Sequence, residues 1–110
     1  MTRKEALAEL IGKVEAGDDF GIVPKAQACL GAFDPNYGVG EIACRAFGGS
    51  LDASKALHEA VLPEWDWCIT PHGASVYSPH DNNPTDGDLD NSARAWLLAI
   101  LKALYSMEKD

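Results

Sequence analysis

The sequence predicts an α+β fold in one domain, residues 1–110, with a small antiparallel sheet packed against helices. Apolar residues recur at helical spacing near both ends of the chain, so the N-terminal and C-terminal helices are expected to dominate. Between them, residues 65–70 and 74–78 alternate as half-buried strands do. The turn between these strands is short, which makes them a hairpin and argues against a parallel α/β sheet.

The first helix is predicted over about Arg3–Ala16. Thr2 and Glu5 have the spacing of a capping box, and Gly17 is suited to the position that follows the last turn. An apolar stripe runs along this segment at Leu7, Leu10, Ile11 and Val14.

The next segment has weaker signals. Pro24 suits the first turn of a second helix, Pro24–Ala32, which is rich in small residues. Residues 34–40 have the composition of a loop. Residues 41–47 fit either a short helix or a strand, and the sequence leaves that choice open.

The stretch 50–79 is expected to organise the rest of the chain. Ser50 is a favourable N-cap for a helix that ends near Leu62, before Pro63. The hairpin follows directly. Because a two-stranded hairpin is marginally stable alone, we expect the Ser50 helix and the C-terminal helix to cover it.

The C-terminal part combines a polar segment with a strongly apolar helix. Residues 79–89 are polar and include two prolines, which predicts no regular structure. Asp90 or Asn91 is expected to cap the last helix. Its apolar stripe consists of Ala93, Trp96, Leu97, Ile100, Leu101 and Leu104.

The charge distribution is the main functional signal. The net charge is −8, and no lysine or arginine lies between Lys55 and Arg94. This argues against direct nucleic-acid binding, which depends on basic side chains, and favours a basic protein or a nucleic-acid-binding complex as partner. Solubility alone is the other explanation of the charge. The predicted partner-binding residues are Glu64, Asp66, Asp81, Asp86, Asp88 and Asp90.

Trp65 is a candidate anchor for that partner, since tryptophan is favoured at the centre of protein interfaces. A core position between the hairpin and the last helix is the alternative for Trp65, Trp67 and Trp96.

Cysteine usage and hydropathy predict a cytoplasmic protein that does not bind membranes. Three widely spaced cysteines, Cys29, Cys44 and Cys68, fit buried free thiols in a reducing compartment. No run of about 18 apolar residues is present. The first ten residues are predicted to form a charged helix and not a signal peptide.

Metal binding and catalysis have weak support, and we expect no cofactor, no metal and no enzymatic activity. Oxygen-bearing side chains between Asp81 and Asp90 suggest calcium, but their spacing does not fit an EF-hand loop. Cys68 and His72 give one short pair where zinc sites usually have two. The chain contains no nucleophile elbow or phosphate-binding loop.

Three segments resemble small proteins encoded by bacteriophages and prophages. They are GSLDA at 49–53, LPEWDW at 62–67 and NSARAWLLA at 91–99. In that group the last motif commonly has proline where Ser92 stands, and the first has alanine where Ser54 stands. The resemblance covers about residues 49–104 and implies a helix–sheet–helix sandwich. The resemblance implies no catalytic role for any residue of this chain.

Three functions follow as hypotheses. The first is a phage or prophage accessory protein in the host cytoplasm. It would bind a host protein through its acidic surface, mimicking nucleic acid as anti-CRISPR and other anti-defence inhibitors can. The second is a phage structural or assembly protein that self-associates, as a homodimer for example, through its alanine-rich helices. The third is a small cation-binding enzyme.

Overall fold

The computed structural model describes residues 3–17, 39–70, 73–78, 84–87 and 91–107. The predicted α+β fold is confirmed. Within those ranges the elements are α1 (Arg3–Ala16), α2 (Val39–Phe47), α3 (Leu51–Val61), β1 (Asp66–Thr70), β2 (Gly73–Tyr77), β3 (Pro84–Gly87) and α4 (Ser92–Met107). The strands form one antiparallel sheet in the order β1-β2-β3. The predicted helix Pro24–Ala32 and the Thr2 cap lie outside the described residues.

The C-terminal helix α4 is the centre of the molecule. It contacts α1, α2, α3, β2 and β3. The predicted stripe is buried, and so are Ala95, Leu98, Ala99 and Ala103 on its other sides. A helix that is apolar all round is typical of a core position. The organising element is therefore α4, and the expectation that the stretch 50–79 has this role is wrong.

The predicted helix ends are largely confirmed by their caps. The Ser50 hydroxyl accepts a hydrogen bond from the Ala53 amide at 3.1 Å. Asn91, and not Asp90, caps α4, because its side-chain oxygen accepts from the Arg94 amide at 3.0 Å. Residues 41–47 are helical, within α2. Gly49 follows α2 with a φ of 110°, a conformation that other residues rarely adopt.

The expectation that α3 covers the sheet is wrong. This helix packs chiefly against α2 and α4, while α4 covers the sheet. The buried Ser54 hydroxyl donates to the Ala93 carbonyl oxygen at 2.8 Å and so fixes α3 beside the start of α4. Contact between α3 and the sheet is made at the edge, where the His58 ring meets Trp67 of β1.

Residues 84–87 form β3, so the prediction that 79–89 lacks regular structure is wrong. The strand pairs with β2, with Asp86 opposite Ser75 and Gly87 opposite Ala74. Gly87 is buried, and a Cβ atom added there would overlap the Ala95 carbonyl oxygen of α4. The missing side chain therefore lets β3 lie directly on the helix backbone.

The hairpin strands differ from their predicted limits by one residue at some ends. The structure has them at Asp66–Thr70 and Gly73–Tyr77, so Trp65 precedes the first strand. Cys68 is exposed and Cys44 is half-buried, which corrects the expectation of buried thiols. Cys29 lies outside the described residues.

Candidate functional site

The strongest candidate site is the face of the sheet that points away from α4. The strand register aligns its side chains in rows, with Asp66 beside Tyr77 and Cys68 beside Ser75. We call this surface the outer face. Its described residues are Asp66, Cys68, Thr70, Gly73, Ser75, Tyr77, Pro84 and Asp86. Most of them are exposed or half-buried, so this face is open to a partner.

The outer face is acidic and has no basic side chain among its described residues. Asp66 and Asp86 are exposed on it, and Glu64 is exposed in the turn before β1. Ion pairs between described residues join helical side chains, such as Arg45 with Glu41 at 3.0 Å. The carboxylates of the sheet therefore have no compensating cation among the described residues. An uncompensated charge of this kind attracts a positively charged surface.

The Ser75 hydroxyl donates a short hydrogen bond to the Asp86 carboxylate. This bond connects β2 to β3 and holds the Asp86 carboxylate in one position on the outer face. Cys68 lies opposite Ser75 on the neighbouring strand. A nucleophile would need a general base within reach. Among the described residues the one histidine, His58, is buried and already hydrogen-bonded to Trp65 and Trp96.

The structure brings together part of the predicted binding set. Glu64, Asp66 and Asp86 lie at or beside the outer face. The other three, Asp81, Asp88 and Asp90, fall outside the described residues. The side chain of Trp65 packs against the core and is half-buried. Trp67 is the more exposed of the two tryptophans, with 40% of its surface accessible.

The other members of the outer face are not among the residues predicted from the sequence. The alternation in β1 was sufficient to place Cys68 and Thr70 beside Asp66. The contribution of β3 had no such signal, because its four residues are typical of a turn. In the sequence, Asp86 is distinguished by its charge alone, and its position opposite Ser75 depends on the pairing of the third strand.

Three aromatic rings support β1 from the helix side. Trp67 lies 4.9 Å from His58 and 5.3 Å from Trp96, measured between ring centroids. The buried His58 ring forms two hydrogen bonds. Its Nε2 atom is 2.7 Å from the Trp65 carbonyl oxygen, and its Nδ1 atom is 3.2 Å from Trp96 Nε1. The ring thus links α3, the start of β1 and α4.

These two bonds determine the protonation of His58. The indole N–H of Trp96 can only donate, so Nδ1 must accept and Nε2 must carry the proton given to Trp65. The ring is therefore neutral. Burial lowers the pKa of His58, and the Trp65 carbonyl and the Glu59 and Asp66 carboxylates oppose this effect only in part.

Stability is expected to fall as the pH is lowered below about 6.5, the ordinary imidazole pKa. The unfolded chain then binds a proton at His58 that the folded protein does not, because the folded pKa is lower. The slope from this group is at most about 1.4 kcal/mol per pH unit. Urea unfolding at pH 7.5, 6.5 and 5.5 would measure it. The variant His58→Gln should lose this part of the slope, and an unchanged slope would contradict the assignment.

Comparison of the chain with protein-family models, with curated proteins and with solved structures gave no match. In the described part of the chain, no three histidine, cysteine or carboxylate side chains are grouped as a metal site would need. None of the described helices has the length and hydrophobicity to cross a membrane.

Proposed function

We propose that this chain is a non-enzymatic binding protein whose outer face occupies a basic surface of a partner protein. One observation carries the proposal. An exposed sheet face presents Asp66 and Asp86, and Glu64 beside it, in a stretch of sequence with no lysine or arginine. Like-charge repulsion disfavours nucleic acid as the ligand, whereas a groove that normally accepts phosphates has the complementary charge.

The arrangement favours binding over solubility as the role of the charge. A solubilising carboxylate needs no fixed position, but Asp86 is held by Ser75. On the α4 side of the sheet that carries Asp66, the rings of Trp67 and Trp96 pack against each other and support the sheet. A pre-organised acidic face loses little side-chain freedom when a partner binds, which improves affinity.

The resemblance to phage and prophage proteins supports a more specific proposal. In the cytoplasm of a bacterial host, the partner would be a basic protein or a nucleic-acid-binding complex. Occupation of its nucleic-acid groove would inhibit it. Defence systems that bind foreign nucleic acid, CRISPR-Cas among them, are the class of target that this chemistry fits.

The test begins with capture of partners from a bacterial lysate on the immobilised protein at low and at moderate salt, read by mass spectrometry. A basic nucleic-acid-binding protein that is released as salt rises is the expected result. The purified partner should also lose its nucleic acid when this protein is added. Capture that is insensitive to salt, or that leaves nucleic-acid binding intact, would contradict the proposal.

The double variant Asp66→Asn/Asp86→Asn is expected to bind that partner about fivefold more weakly or worse at low salt, since each exposed charge contributes up to about 1 kcal/mol. The amide oxygen introduced at position 86 still accepts from Ser75, so the melting temperature should stay within about 2 °C. Asp52→Asn/Glu59→Gln removes the same charge from exposed positions on α3 and is the matched control. Equal weakening by both double variants would show a net-charge effect and not a binding face.

A further inference from the structure

Strand β1 is an edge strand of the sheet that the described residues form. It pairs with β2 on one side, and no described strand pairs with its other side. Four of its five residues are exposed: Asp66, Trp67, Cys68 and Thr70. Unpaired backbone groups along such an edge are available to another strand.

This edge lacks most of the devices that normally prevent pairing. Edge strands are commonly shortened, bulged or broken by lysine or proline. The five residues of β1 contain neither lysine nor proline, and its pairing with β2 is continuous from Asp66 to Thr70. Its one charge, Asp66, stands at the first position and leaves the centre of the strand open.

We propose that β1 pairs antiparallel with β1 of a second copy, with Cys68 on the two-fold axis. This register uses all five residues of both strands. Asp66 then lies opposite the second copy's Thr70, Trp67 opposite Ile69, and Cys68 opposite Cys68. A twofold interface of this kind is closed, so association ends at the dimer.

The strand is self-complementary in this register. On the α4 side, Trp67 meets Ile69, an aromatic and β-branched pair of the kind that stabilises antiparallel sheets. The pair would reduce the exposure of Trp67, 40% of whose surface is accessible in the single chain. On the outer face, the acidic Asp66 meets a hydroxyl and not another carboxylate. Registers centred on Trp67 or Ile69 pair fewer residues of β1.

The dimer differs from the proposed partner complex in its response to salt. Two copies with a net charge of −8 repel each other, so dimerisation should strengthen as salt rises. Binding of a basic partner should instead weaken as the salt concentration rises. The proposal does not depend on the proposed function, and either can fail without the other. If both hold, the six-stranded sheet presents two acidic outer faces side by side.

Sedimentation equilibrium of the whole chain, from about 10 µM to 1 mM, tests the dimer. The expected result is a monomer–dimer equilibrium that shifts toward dimer with salt. Cys68→Lys places like charges on the axis and should raise the dissociation constant about fivefold or more. Thr70→Lys adds the same charge two residues away, opposite Asp66 of the other copy, and should lower the dissociation constant. A protein that stays monomeric at every concentration would overturn the proposal. So would a dissociation constant that rises in both variants.

Oxidation with diamide gives an independent test of the register. In a chain with Cys29→Ser and Cys44→Ser, two Cys68 thiols should form an intermolecular disulfide, diamide taking up the two electrons and two protons. Moving the thiol, by adding Cys68→Ser and Thr70→Cys, places the cysteines four residues out of alignment and should prevent the disulfide. Equal cross-linking of both chains would show random collision and overturn the register. Circular dichroism would confirm that each variant is folded.

Discussion

Replacing Gly87 with alanine is expected to lower the free energy of unfolding by about 3 kcal/mol. The added Cβ would overlap the Ala95 carbonyl oxygen and lie 2.9 Å from the Ala99 amide nitrogen. Both are backbone atoms of α4, so no side-chain rotation can relieve the clash. Either β3 moves off the helix or the helix moves off the rest of the core, and overpacking of this kind is costly. Urea unfolding followed by tryptophan fluorescence would measure the loss.

Gly12 provides the matched control. It lies inside α1, and a Cβ added there meets nothing within 4 Å. Gly12→Ala should therefore stabilise the protein by about 0.5–1 kcal/mol, the usual gain for this change inside a helix. Opposite signs at the two glycines are the expected outcome. A loss below about 0.5 kcal/mol for Gly87→Ala would mean that β3 does not rest on the α4 backbone.

Replacing His58 with leucine is expected to cost about 3 kcal/mol of stability, although leucine is apolar and close in volume to histidine. The change leaves the buried Trp96 indole N–H and the part-buried Trp65 carbonyl without their partner, at about 1–3 kcal/mol for a fully buried group. Thermal and urea unfolding at pH 7.5 would measure the loss.

A double-mutant cycle with Trp96→Phe separates the hydrogen bond from the packing. In the double variant the indole donor is absent, so the cost of leaving it unpaired disappears. The losses of unfolding free energy in the two single variants, added together, are expected to exceed the loss in the double variant by about 1 kcal/mol. Strictly additive costs would show that the His58–Trp96 hydrogen bond contributes nothing to stability.

The sequence predicted the helices better than the sheet for a physical reason. Helix signals are local: Ser50 and Asn91 cap their own first turns, and the stripe of α4 repeats over three turns. The third strand depends on contacts distant in sequence. Gly87 belongs to a strand only because Ala95 and Ala99 offer a smooth helix surface to it, and its neighbours in sequence favour a turn.

Of the properties of the candidate site, only its negative charge could be predicted from the sequence. The base-free interval is a property of the sequence, and it selected Glu64, Asp66 and Asp86 without structural help. Trp67 is more accessible than Trp65, the predicted anchor. Which tryptophan remains accessible depends on where α4 ends its coverage of the sheet, and no pattern in β1 records that limit.

The central position of α4 has a consequence for biosynthesis. Every other described element precedes α4 in the chain, and all of them contact it. During translation, α1, α2, α3 and the sheet emerge from the ribosome before the helix that completes their core. The apolar surface that α4 covers stays exposed until α4 itself has emerged. The core is thus expected to form only after α4 has emerged, with the nascent chain a substrate for chaperones and proteases until then.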